Sequence, residues 1–76
     1  MITVYSTTHC SQCLMTNRRH TKRGLEFEEV NLEENPDQLN FVKNVLGYSQ
    51  APVVIVEEEN QTRHWSGFRP DLIDQL

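Results

Sequence analysis

The chain has 76 residues, enough for one small domain and too few for a second core. Its 11 acidic against 7 basic residues give a formal net charge of −4, the wrong sign for a nucleic-acid footprint. No apolar run approaches the ~20 residues that span a bilayer, and Met1-Ile2-Thr3-Val4 lacks the charge of a secretory signal, so a cytoplasmic protein without membrane or nucleic-acid partners is expected.

Ile2-Thr3-Val4-Tyr5, rich in β-branched and aromatic residues, predicts a first strand from Ile2 to Ser6. A helix follows from about Ser11 to Arg23, stopped by Gly24 where a left-handed cap is wanted. Glu26 to Leu32, with Phe27, Val30 and Leu32, reads as a second strand. A β-α-β order makes the two strands parallel and the crossover right-handed. Asn35, Pro36 and Gln38 have the spacing of a capping box with proline at the first helical position. Leu39, Val42 and Leu46 then form an apolar stripe, widened by Phe41 and Val45 and ended by Gly47. Val53-Val54-Ile55-Val56 is a continuous apolar strand, Glu57 to Asn60 a polar turn, and Gln61 to Trp65 an edge strand. A last helix from about Arg69 to Leu76 offers Leu72, Ile73 and Leu76. The order β-α-β-α-β-β-α predicts a single α/β domain over 1–76, with a four-stranded mixed sheet flanked by helices.

Both cysteines lie in Cys10-Ser11-Gln12-Cys13, just after the first strand. In a reducing compartment a close pair points to catalysis or metal binding rather than to a structural staple. Cys10 falls at a helix N-terminus, where unpaired N–H groups and the helix dipole favour thiolate over thiol. Such placement lowers a cysteine pKa from about 8.5 towards neutrality. Cys13, one turn further in, is expected to be more buried. Cys10 is therefore the expected nucleophile and Cys13 the resolving thiol.

A strand, Cys-x-x-Cys at a helix start and a later proline before a buried strand resemble the thioredoxin fold. Three motifs bring the chain closer to the NrdH-type redoxins, glutaredoxin-like proteins with thioredoxin-like activity. Cys10-Ser11-Gln12-Cys13 carries glutamine before the second cysteine. Gln50-Ala51-Pro52-Val53-Val54 is similar to the segment holding the fold's cis-proline. Trp65-Ser66-Gly67-Phe68-Arg69-Pro70 matches the family's C-terminal signature. The resemblance covers essentially the whole chain. It implies a cytoplasmic dithiol reductant without a cofactor, recharged by thioredoxin reductase and serving the large subunit of a class Ib ribonucleotide reductase. A monomer is expected.

The resemblance also implies a substrate-binding edge made of Ser11, Gln12, Ala51, Pro52 and Trp65 to Arg69. A cis Ala51–Pro52 bond would leave Ala51 backbone groups free to pair with an extended client segment; a trans turn proline is the alternative. Glutathione-dependent glutaredoxins resemble this chain in fold but place a Gly-Gly and an acidic residue where this chain has Ser66-Gly67 followed by bulky Phe68 and cationic Arg69. A basic residue before the cysteines is also missing, since Thr7, Thr8 and His9 fill that loop. Glutathione binding is expected to be poor. For Trp65 and Phe68, core packing and partner docking both remain open.

Other residues allow plainer readings. His9 either favours the neighbouring thiolate when protonated or is a solvated loop histidine. His20 departs from the family's aliphatic residue and is expected to be half-buried and hydrogen-bonded. Arg18, Arg19, Lys22 and Arg23 read as a solvated basic face near the negative end of the helix dipole. At ~1.5 Å per residue they lie too far along to clamp a ligand at Cys10. Glu57 to Glu59 read as a solvated hairpin tip. Cys10, Cys13, His9, His20 and His64 are the candidate zinc ligands, but no second Cys-x-x-Cys or paired-histidine spacing accompanies them, so no metal site is expected. A shared iron–sulfur cluster and a redox-inactive binding module are disfavoured, the first by the missing glutathione clamp and the second by the intact cysteine pair.

Overall fold

The computed structural model describes all residues, 1–76. Strand β1 (Ile2–Ser6) leads through a short loop into helix α1 (Ser11–Lys22), and β2 (Glu28–Asn31) follows. Helix α2 (Pro36–Asn40) runs directly into a π-helical turn (Phe41–Val45); β3 (Val53–Glu57), β4 (Thr62–Ser66) and α3 (Pro70–Ile73) complete the chain. The four strands form one sheet in the order β2-β1-β3-β4. β1 and β2 are parallel, and the other two pairings are antiparallel. This is the four-stranded mixed α/β sheet expected from the element order, in the thioredoxin-type architecture that the resemblance implies.

Side chains alternate across the sheet and build a core on each face. Ile2, Val4, Val54, Val56 and Trp65 meet Ile73 of α3 on one face, with Leu25, Phe27 and Phe68 packed around them. Val53 and Ile55 meet Leu32 and Val42 on the other, flanked by Tyr5, Leu46 and Tyr48. β3 is covered on both faces, which is why four consecutive apolar residues are buried in it.

The element boundaries differ from expectation for identifiable reasons. β2 is shorter than Glu26 to Leu32 because its ladder with β1 runs only from Thr3↔Glu28 to Ser6↔Asn31. Helix α1 closes with paired bonds from Gly24 N–H to the Thr21 carbonyl (3.0 Å) and from Leu25 N–H to the His20 carbonyl (2.9 Å). Gly24 has φ +70°, as this type of C-terminal cap requires. At the start of α2 the capping box does not form: the Asn35 side chain donates instead to the Asn31 carbonyl at 2.8 Å.

The apolar stripe of the second helix also needs correction. The π-turn inserts an i→i−5 bond, Leu46 N–H to the Phe41 carbonyl, and shifts the phase of the residues around it. Val42 is buried, whereas Leu39, Phe41 and Val45 are 42%, 37% and 68% exposed. In the hairpin, Glu57 is the last residue of β3, paired with Thr62, so the turn is Glu58 to Gln61. α3 is a single turn after Pro70, and the tail continues in tight i→i−3 turns to Leu76 rather than as a helix.

Candidate active site

Three segments distant in sequence meet at one end of the sheet: the head of α1, the loop before β3 and the turn after β4. Cys10 is the N-cap of α1, and its Sγ accepts a hydrogen bond from Cys13 N–H at 3.1 Å. The first turn of α1 carries no acidic residue to oppose a negative charge there. When the sulfurs are separated, that N–H and the dipole of α1 are in position to stabilise a Cys10 thiolate. Cys10 and Cys13 are joined by a disulfide, with Cα atoms 5.2 Å apart. Cys13 is 3% exposed, while Cys10 is partly open to solvent. An incoming group therefore reaches Cys10 first.

The loop that delivers Cys10 is held by a residue the sequence analysis did not single out. Thr8 N–H donates to Glu33 Oε1 at 2.7 Å. Beyond Thr8, His9 is exposed and takes a left-handed backbone, φ +58°, unusual for a residue other than glycine. No local sequence pattern marks Glu33, because its partner lies 25 residues away.

The Ala51–Pro52 peptide bond is cis. The Pro52 carbonyl accepts from Gly67 N–H at 2.8 Å, which ties the loop before β3 to the turn after β4. The Ala51 backbone N–H and carbonyl make no hydrogen bond within the chain. Gly67 is buried with φ +84°. The next amide, Phe68 N–H, donates to Gln12 Oε1 at 3.0 Å. Gln12 is thus engaged by the chain itself, while Ser11 stands exposed.

Trp65 is 6% exposed and belongs to the core, so it is a packing residue and offers no docking surface. Ser66 ends β4 opposite Val53, and Phe68 is half-buried against the same core. Exposed Arg69 forms a two-point contact with Asp71, Nε at 3.1 Å and Nη2 at 2.9 Å. That hydrogen bonding holds the Asp71 carboxyl below the usual carboxylate range.

Two further expectations change. His20 is fully buried, not half-buried, and neither ring nitrogen has a hydrogen-bond partner; its ring lies 5.2 Å from that of Phe27. The basic run is not wholly solvated: Arg19 pairs with Asp74, and Arg23 Nη1 donates to the Ile73 carbonyl at 2.6 Å. The histidines are dispersed, His64 being bonded to the Tyr48 hydroxyl at 2.7 Å. No three His, Cys, Asp or Glu side chains gather in a metal-holding arrangement.

Comparison with known proteins agrees with this geometry. Residues 2–60 match the glutaredoxin family. The chain is 41% identical over 75 residues to the glutaredoxin-like protein NrdH of Salmonella typhimurium, covering 99% of this chain and 86% of that protein. It is 35% identical over 78 residues to NrdH of Lactococcus lactis subsp. lactis, covering 100% of this chain and 99% of that protein. The solved structure of the Escherichia coli NrdH-redoxin, a glutaredoxin-like protein with a thioredoxin-like activity profile, superposes with a TM-score of 0.89 at 39% identity. That match covers 99% of this chain and 92% of the other. The chain belongs to the glutaredoxin family, in its NrdH-type glutaredoxin-like branch, and with Cys10 and Cys13 as its redox pair it is a thiol–disulfide oxidoreductase.

Proposed function

We propose that the protein is a cytoplasmic, monomeric dithiol electron donor, reduced by thioredoxin reductase and oxidised by a class Ib ribonucleotide reductase. The observation that carries this reading is the occupied turn after Gly67. Phe68 N–H is already bonded to Gln12, and the nearby side-chain charge is a cation committed to Asp71. A glutathione molecule finds neither an uncommitted acidic partner for its amine nor a free amide there. The choice of ribonucleotide reductase as client follows the Trp65 to Pro70 signature and the likeness to NrdH proteins. The thioredoxin-like activity profile of the Escherichia coli relative favours thioredoxin reductase as the source of electrons.

In the reduced protein, Cys10 thiolate attacks one sulfur of the client disulfide. The client S–S bond breaks, its other sulfur leaves as thiolate, and a mixed disulfide forms on Cys10. Cys13, after losing its proton, attacks Cys10 Sγ and expels the second client thiolate. Two electrons pass to the client, whose two thiolates take up one proton lost by Cys13 and one from water, and the Cys10–Cys13 disulfide remains. Thioredoxin reductase reverses this exchange with its own dithiol. The free Ala51 backbone groups pair with an extended client segment and hold its disulfide before Cys10.

The test is a pair of coupled assays that differ only in electron source. NADPH with thioredoxin reductase is expected to drive both reduction of insulin disulfides and deoxyribonucleotide formation by a class Ib enzyme. NADPH with glutathione reductase and glutathione is expected to drive neither at a comparable rate. Activity confined to the glutathione mixture would make the protein a glutathione-dependent glutaredoxin. Cys10→Ser is expected to abolish turnover, and Cys13→Ser to accumulate the mixed disulfide with the client; the reverse pattern contradicts the assigned roles.

A further inference from the structure

Gln12 stands between the two cysteines on the exposed first turn of α1, yet its side chain reaches a turn 56 residues away. Its Oε1 accepts from Phe68 N–H at 3.0 Å. The same oxygen covers Gly67: a methyl group built there would lie 3.5 Å from it. Gly67 N–H is itself bonded to the Pro52 carbonyl. The side-chain bond and the backbone bond therefore join all three segments of the reactive end in sequence, from the Cys10–Cys13 loop through the Gly67–Phe68 turn to the loop of Pro52.

We infer that Gln12 is a positioning and specificity-determining residue: its side-chain carbonyl closes the Phe68 amide against anionic thiols and fixes the turn beside the disulfide. A backbone N–H following a left-handed glycine is a ready donor to a carboxylate, since nothing in the turn competes for it. Freed beside a reactive disulfide, it would dock the carboxylate of a small thiol at the right distance to react with Cys10. With Gln12 in place the amide is spent, and the surface above Gly67 is covered by a neutral amide. Protein clients, which bind through an extended backbone rather than a terminal carboxylate, do not need that donor. The inference rests on the proposed preference for protein disulfides, and its test separates the two.

The experiment compares the wild type with Gln12→Ala, which removes the acceptor, and Gln12→Glu, which keeps a carbonyl oxygen at the same reach. Amide exchange at Phe68 is read by NMR in each oxidised protein. Exchange is expected to be roughly five- to tenfold faster in Gln12→Ala, the loss of one ordinary hydrogen bond, and near wild type in Gln12→Glu. Glutathione is the probe for the second arm, with a small organic disulfide as substrate. Its KM is expected to fall roughly fivefold in Gln12→Ala, with no fall in Gln12→Glu. Unchanged Phe68 exchange in Gln12→Ala would remove the strut, and faster exchange with unchanged glutathione KM would remove its role in specificity. A wild type that thioredoxin reductase fails to reduce would overturn the proposed function alone, because the exchange measurement does not depend on the reductant.

Discussion

Neither ring nitrogen of His20 finds a partner although the side chain is fully enclosed, and Thr16 Oγ1, one turn earlier, is in the same condition. Burial pushes the His20 pKa below its ordinary value of 6.5. The folded state therefore holds the neutral ring, while the unfolded chain takes up a proton once the pH falls below about 6.5. Stability is full above that value and declines as the pH drops towards the lowered folded pKa, by at most about 1.4 kcal/mol per pH unit. Asp71 and Asp74, held below 3.8 chiefly by hydrogen bonds from Arg69 and Arg19, add their loss only at still lower pH. Urea unfolding from pH 7.5 to 5 is expected to show a falling midpoint in the wild type and a nearly flat one in His20→Leu. A flat wild-type profile would mean that this ring is hydrated. Sequence alone indicated a half-buried, hydrogen-bonded histidine at this position. It could not indicate the missing partners, because those depend on what the neighbouring elements bring.

Among the elements, α3 is the shortest helix and is held by its neighbours rather than by its own length. Ile73 is completely buried against the sheet, Arg23 bonds its carbonyl, and Arg19 pairs with the adjacent Asp74. Ile73→Ala is expected to cost about 2–5 kcal/mol, a large share of the stability of a domain this small. Asp74→Ala, at an exposed ion pair, is expected to change stability little. Equal losses in denaturant titrations of the two variants would show that charge, not burial, secures α3. The stretch from α2 through the π-turn has the opposite weakness, since Val42 is its one buried side chain. Amides from Leu39 to Leu46 are expected to exchange by local opening well before those of β1 and β3. Uniform protection across these elements would contradict this ranking. The helix was legible from Pro36 and Val42, but the phase shift was not: a 3.6-residue period assumes the regular turn that Phe41 to Val45 abandon.

At the scale of the molecule, the succession of elements, the parallel pairing of β1 with β2 and the helix-head placement of Cys10 followed from local signals: β-branched runs, a proline at a helix start and glycine at a helix end. The apolar run Val53 to Val56 correctly marked a buried strand. What remained hidden were the ties between distant segments: Glu33 to Thr8, Gln12 to Phe68, and Arg19 to Asp74. Such links leave no periodicity, since each involves single polar residues whose separation along the chain is arbitrary. The same property governs how the redox end comes into being. Its parts are encoded at Cys10–Cys13, Ala51–Pro52 and Gly67–Phe68, and nothing short of a closed sheet brings them together. A nascent chain still lacking β4, or a molecule with that strand undocked, owns both sulfur atoms but lacks the Gly67–Pro52 and Phe68–Gln12 bonds that frame them. Possession of the Cys10–Cys13 pair is therefore no sign that its surroundings have been assembled.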